Sequence, residues 1–109
     1  MIRLMKSPQS LPKPKRLKLL LIRRVSGKSM LPLLKPGQLV VASGMYHQLE
    51  LESVVVIRHD NLDKIKRIRQ VQADRIFVVG DNPKASLDSR SFGWLPISTV
   101  VGKVLWPRL

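Results

Sequence analysis

A serine hydroxyl becomes a useful nucleophile only when a base stands within hydrogen-bond reach to take its proton. Ser29 is the serine best set for that chemistry. It lies in V-S-G-K-S-M-L-P-L-L-K-P-G, residues 25–37, where Gly27 allows close backbone approach, Met30-Leu31-Pro32 begins an apolar shelf, and Pro36-Gly37 ends the segment in a turn. The chain has no cysteine, which removes a thiol nucleophile, thiolate metal sites and a disulfide framework. His47 and His59 are too few and too isolated for a zinc site. The candidate base is Lys66, in the strand-like K-I-K-R-I-R, a short hairpin away from the apolar Val54-Val55-Val56. A lysine accepts a proton only when neutral. Moving it from its reference value of ~10.4 to near neutrality costs about 4 kcal/mol, which burial in apolar surroundings can supply, and the cationic Lys64, Arg67 and Arg69 would push the same way. Taken by itself, a lysine so placed is far more often just another charge on a basic strand.

A second stretch, V-V-G-D-N-P-K-A-S-L-D-S-R-S-F-G (residues 78–93), holds more hydrogen-bonding chemistry than a connection needs. Asp88 and Arg90 are spaced to pair locally, and the Asn and Ser side chains can tie loop backbone together. On these residues alone the stretch is an ordered surface loop.

The elements that must position these residues read as short, β-branched runs: Leu19 to Val25, Gln38 to Ser43, Ser53 to Arg58, Lys64 to Val71, Arg75 to Val79 and Ile97 to Trp106. His59-Asp60-Asn61 and Gln72-Ala73-Asp74 are the expected hairpin turns. No segment sustains a 3.6-residue period over three turns. The expectation is an all-β fold, a small antiparallel domain, curled or barrel-like so that few strand edges stay open. Residues 1–18 carry Pro8, Pro12 and Pro14 among basic residues and read as an extended arm, leaving residues 19–109 as the folded domain. With 109 residues there is room for one modest core.

Twenty Lys and Arg face seven Asp and Glu, a formal charge of +13, and no acid precedes Glu50. Such a field favours an anionic partner: nucleic acid, an acidic lipid surface or an acidic polypeptide. The aromatics Tyr46, Phe77, Phe92, Trp94 and Trp106 are scattered rather than grouped for base stacking, and the two tryptophans are expected as core or loop anchors. The apolar run Leu19 to Ile22 is far below the ~20 residues of a membrane span, and no apolar h-region follows the basic start. A cytoplasmic setting is the expectation.

Three boxes in order, S-G-K-S-M-L-P, I-K-R-I and G-D-N-P-K-A-S-L-D-S-R-S-F-G, resemble the catalytic boxes of the signal peptidase I family of Ser/Lys-dyad proteases. The resemblance implies Ser29 as nucleophile, Lys66 as general base, and Ser86 as the serine that orients the lysine. It implies Asp88 and Arg90 as a structural ion pair, Gly80, Asp81 and Asn82 as the start of that loop, and a backbone oxyanion hole at Ser29 assisted near Gly27. Met30, Leu31 and Pro32 would shape the substrate cleft. Relatives that carry a side-chain donor two residues before the nucleophile differ here, because that position is Gly27. The chemistry implies no metal and no organic cofactor.

The basic arm stands where the family has its membrane anchor, predicting a chain without a transmembrane segment. Only 13 residues separate Lys66 from Gly80, so the family's inserted subdomain is missing. In both respects the chain resembles the small members that mature nickel-type superoxide dismutase, implying that dismutase precursor as the polypeptide substrate. Three other readings stay open: a signal peptidase held at an anionic membrane by the arm, a LexA-like self-cleaving repressor, and a non-catalytic basic β domain binding nucleic acid. The second lacks a helix-turn-helix in residues 1–24 and the third lacks grouped aromatics, so no specific nucleic acid is expected.

Overall fold

Turn chemistry and β-branched runs set the element order. In the computed structural model, which describes residues 20–46 and 48–109, strands form at Leu20–Arg24 (β1), Leu39–Ser43 (β2), Val54–His59 (β3), Leu62–Gln72 (β4), Arg75–Val79 (β5), Leu95–Pro96 (β6) and Val100–Trp106 (β7). The arm, its expected membrane contact and His47 lie outside the described residues. Asp60 and Asn61 adopt φ of 55° and 63°, the left-handed pair that lets a two-residue loop follow strand twist. His59 still pairs with Leu62, so the turn is one residue tighter than expected and β4 starts two residues before Lys64. Ala73, at φ 54°, turns the chain between the paired Gln72 and Arg75.

The seven strands form one sheet in the order β1-β2-β7-β3-β4-β5-β6, every pairing antiparallel. The all-β, antiparallel expectation stands; barrel-like closure does not, because β1 and β6 remain edges. β6 is two residues long, and Pro96 has no N–H with which to extend a ladder.

The run Val54-Val55-Val56-Ile57 is buried throughout, which a period-two element achieves only with both faces covered. Val55 and Ile57 pack with Ile68, Ile76, Val78 and Leu95. Val54 packs with Val25, Met30, Leu34 and Val40, and Val56 with Leu21 and Ala42. β1, β2 and the loop between them thus supply one core face, and chiefly β4 with β5 the other.

Three expectations are corrected. Ile97–Thr99 is a single 3-10 turn rather than the start of β7, with Thr99 Oγ1 donating to the Pro96 carbonyl at 2.8 Å. Ser89–Phe92 forms one helical turn (α1), bracketed by Asp88 as N-cap and Gly93 at φ 86° as C-cap. Trp106 is 58% exposed and anchors nothing, whereas Trp94 packs edge-on against Phe77 with ring centroids 5.5 Å apart.

Candidate active site

The segment carrying Ser29 is closed at its base by two backbone bonds, Val25 N–H to the Gln38 carbonyl at 2.7 Å and Gly37 N–H to the Val25 carbonyl at 2.8 Å. Within it, Leu31 N–H donates to the Lys28 carbonyl and Leu34 N–H to the Met30 carbonyl, at 3.2 and 2.9 Å. This turn drives Met30 and Leu34 fully into the core, fixing the half-buried Ser29 beside them. Gly27 sits at φ 78° with open space where a Cβ would be, so conformation, not room, is what asks for glycine there. Among the described residues the Ser29 hydroxyl and backbone N–H have no hydrogen-bond partner.

Lys66 lies opposite Val55 in the β3–β4 ladder and is only 4% exposed. Its Nζ donates to Ser86 Oγ at 3.1 Å, and Ser86 Oγ donates to Asp88 Oδ2 at 2.5 Å. Burial is the largest influence on the amine and pushes its pKa down; the Asp88 charge opposes this, and the Lys64 and Arg90 charges add to it. The expected contribution of Arg67 and Arg69 is absent. Strand alternation turns Arg67 to the other face from Lys66, where it forks onto Asp81 at 2.9 and 3.0 Å, and Arg69 pairs with Glu52 at 3.4 Å.

Asp88, itself buried, organises the loop from Gly80 to Gly93. It accepts from Gly80 N–H at 2.8 Å, from Arg90 N–H at 3.1 Å, and from the Arg90 guanidinium at 3.0 and 2.6 Å. Burial by itself would raise this carboxyl. The Arg90, Ser86 and backbone hydrogen bonds together outweigh it and hold the group below the ordinary carboxylate range. Arg90 also reaches the Gly80 carbonyl at 3.2 Å. Two bonds then tie this loop to the Ser29 segment: Asn82 N–H to the Ser29 carbonyl at 2.7 Å, and Asn82 Nδ2 to the Lys28 carbonyl at 3.0 Å. Gly80 is where the two segments touch, since a Cβ there would overlap Ser86 Oγ and fall 2.7 Å from the Ser29 carbonyl oxygen.

Ser29 and Lys66 line one cleft of about 440 Å³. Met30 lines it too while belonging to the core. Leu31 and Pro32 do not: once the turn has buried Met30, the chain carries them outward, with Pro32 exposed, and the wall runs backward through Val25 to Lys28 instead. Sequence reasoning missed that Arg67 belongs to Asp81, although its odd-numbered place beside Lys66 in an alternating strand signals it. Ser89 does tie backbone together, as the serines of this loop suggest, its Oγ accepting from Val78 N–H at 2.9 Å.

Comparisons with known proteins give the family. The family described as "Signal peptidase, peptidase S26" matches residues 57–108, which include Lys66 and the loop from Gly80 to Gly93 but not Ser29. Mitochondrial ATP-independent inner membrane protease subunit 1b of Arabidopsis thaliana is 32% identical over 109 residues, covering 73% of this chain and 64% of the relative. Subunit 1a of the same protease is 32% identical over 115 residues, covering 76% of this chain and 68% of that relative. The chain thus spans about two thirds of the length of these relatives, and across that span it belongs to the signal peptidase I family, peptidase S26.

Proposed function

We propose that the protein is a serine endopeptidase with a Ser29/Lys66 dyad that removes an N-terminal leader from a precursor polypeptide. The observation that carries this reading is the shared cleft, lined both by a buried lysine held by Ser86 and by a serine whose hydroxyl has no hydrogen-bond partner among the described residues. Neutral Lys66 takes the Ser29 proton as Oγ attacks the scissile carbonyl, and the resulting ammonium protonates the leaving amine. A water then attacks the acyl-enzyme as the same amine takes its proton, and the ammonium returns that proton to Ser29 Oγ as the acyl–oxygen bond breaks and the carboxyl product leaves. Ser29 N–H, with the backbone near Gly27, receives the developing oxyanion. Asp88 and Arg90 act one step back, as positioning residues that hold Ser86.

The finer reading is maturation of nickel-type superoxide dismutase, supported by the short Lys66-to-Gly80 connection that the chain shares with small members of the family. Intact-mass analysis of that dismutase precursor after incubation with wild type, with Ser29→Ala in parallel, tests it. Loss of the leader with wild type alone is the expected result; an intact precursor in both would return the substrate to other leaders. One observation favours a second reading, action at a membrane surface: both relatives are named as inner membrane proteases. Leader peptides of exported proteins in the same assay separate the two.

Ser86→Ala tests the positioning role. With its hydrogen bond removed, Lys66 should lose about tenfold to a thousandfold in kcat, and the alkaline-rising limb of the pH profile should move, because the amine has lost a partner. An unchanged rate and profile would make Ser86 a loop residue only.

A further inference from the structure

Four cations, Arg23, Arg24, Lys28 and Lys64, line the cleft beside Ser29 and Lys66. One carboxylate shares the lining, Asp63, and it is taken twice, by Arg23 at 2.9 Å and by Arg58 at 2.8 Å. The other three cations have no carboxylate partner among the described residues, and residues 1–19 and His47 contain no acid that could supply one. Arg24 is exposed, and one of its guanidinium nitrogens donates to the Gly37 carbonyl at 2.7 Å, a bond that leaves the charge unneutralised. Lys28 is exposed directly before the nucleophile. Among the described residues, Lys64 Nζ meets His59 Nδ1 at 3.1 Å and the face of Phe92 at 5.5 Å.

Part of the chain's cationic surplus thus converges on the cleft, while Lys35, Arg75, Lys84 and Arg108, also without a carboxylate partner among the described residues, lie outside its lining. The cleft lining also holds apolar side chains, among them the buried Met30 and Val56, Ile65 and the exposed Leu62. A ligand suited to both features is an extended chain with small or apolar side chains at the reacting centre and carboxylates flanking them. A nucleic acid fits less well, because among the described residues no aromatic side chain lines the cleft for a base to stack on.

We propose that the cleft selects polypeptides with acidic side chains beside the bond to be cut, received by Arg24, Lys28 and Lys64. This deepens the peptidase reading and rests on it for the word substrate, while the charge selection can be measured without catalysis. Unpaired cations around a low-dielectric cleft steer anions strongly at low salt and weakly when screened.

The test uses labelled nine-residue peptides with an Ala-Gln-Ala centre flanked on both sides by Asp, Asn or Lys. Binding to Ser29→Ala is read by fluorescence anisotropy and cleavage by wild type is read by mass. The Asp set should bind about tenfold tighter than the Asn set at low salt, with the Lys set weakest, and the advantage should shrink to about twofold at roughly 0.5 M salt. Arg24→Glu combined with Lys28→Glu should invert the order, with melting temperature as the check on folding. The milder Arg24→Gln should cost the Asp set about threefold. Equal binding of the three sets, an Asp preference that survives charge reversal, or tighter binding of a nine-residue oligothymidylate would overturn the proposal. Asp-selective binding with no cleavage by wild type would sink the peptidase reading alone and leave the acidic ligand in place.

Discussion

Lys66→Met is expected to abolish turnover and, at acidic to neutral pH, to raise the melting temperature. The first effect follows from the proposed role of Lys66 as base to Ser29: a loss of about 10⁴-fold or more in kcat/KM, matched by Ser29→Ala and not additive with it, because in that proposal the two act as one unit. Lys66→Arg should be no rescue, since a guanidinium stays charged at any pH where the protein folds. The second effect follows from linkage. Burial lowers the folded-state pKa of Lys66 below its unfolded value, so between those two values the unfolded chain binds more protons and wild-type stability rises with pH. Below both values the folded state carries the full cost of a buried cation. Methionine has a similar length and no charge, so the variant's advantage should be greatest at low pH and shrink as the pH climbs toward the unfolded lysine value. Wild-type activity should climb over the same range as the amine becomes neutral. Thermal scans of both proteins across pH, beside their pH–rate profiles, check the two claims together. A variant that keeps its rate would refute the base assignment, and a melting difference independent of pH would show that folding does not lower the pKa of Lys66.

Gly80→Ala is expected to damage stability and rate at once, though one methyl group is all it adds. Gly80 is not at positive φ, so its requirement is space. The new Cβ would fall 2.7 Å from both the Ser86 Cβ and the Ser29 carbonyl oxygen, and neither can yield alone, because the first is held to Asp88 and the second to Asn82. Overpacking of this kind costs about 1–3 kcal/mol. A displacement of about 1 Å between nucleophile and base costs on the order of 10²-fold in rate. Gly27→Ala is the informative contrast: nothing lies within 4 Å of its Cβ, but φ is 78°, so its roughly 1–2 kcal/mol penalty comes from backbone conformation. Circular dichroism melts and kcat measured on both variants separate crowding from conformation. Equal, small effects at the two positions would mean that the two loops do not meet at Gly80.

The strands were legible because their β-branched runs are short and bounded, and the turn at Asp60-Asn61 carries the residue types that tolerate left-handed backbone. α1 and β6 were not, since four and two residues are too few to show a period. At the site, the boxes pointed to Ser29, Lys66 and Ser86, and the cleft unites the first two while a hydrogen bond joins the last two. What failed was direction. Counting Arg67 and Arg69 as neighbours of Lys66 ignored the alternation that gives Arg67 to Asp81, and extending the cleft forward to Leu31 and Pro32 ignored a turn made by backbone bonds. Sequence spacing specifies which residues are close along the chain; the side each one faces depends on pairings formed some 50 residues away, such as Asn82 to Lys28.

The position of β7 has a consequence for biosynthesis. It is the last strand of the described structure, yet it lies inside the sheet, between β2 and β3. On one side stands the β1–β2 hairpin that carries Ser29; on the other stand β3 to β6 with Lys66 and Ser86. Sheet pairing between these halves passes through β7 alone. A ribosome-bound chain that has emerged only as far as β6 holds nucleophile and base on two pieces with no ladder between them. On the proposed dyad, sheet pairing joins the Ser29 and Lys66 halves only once β7 has been made, so cleavage by a nascent chain is expected only after that strand has emerged.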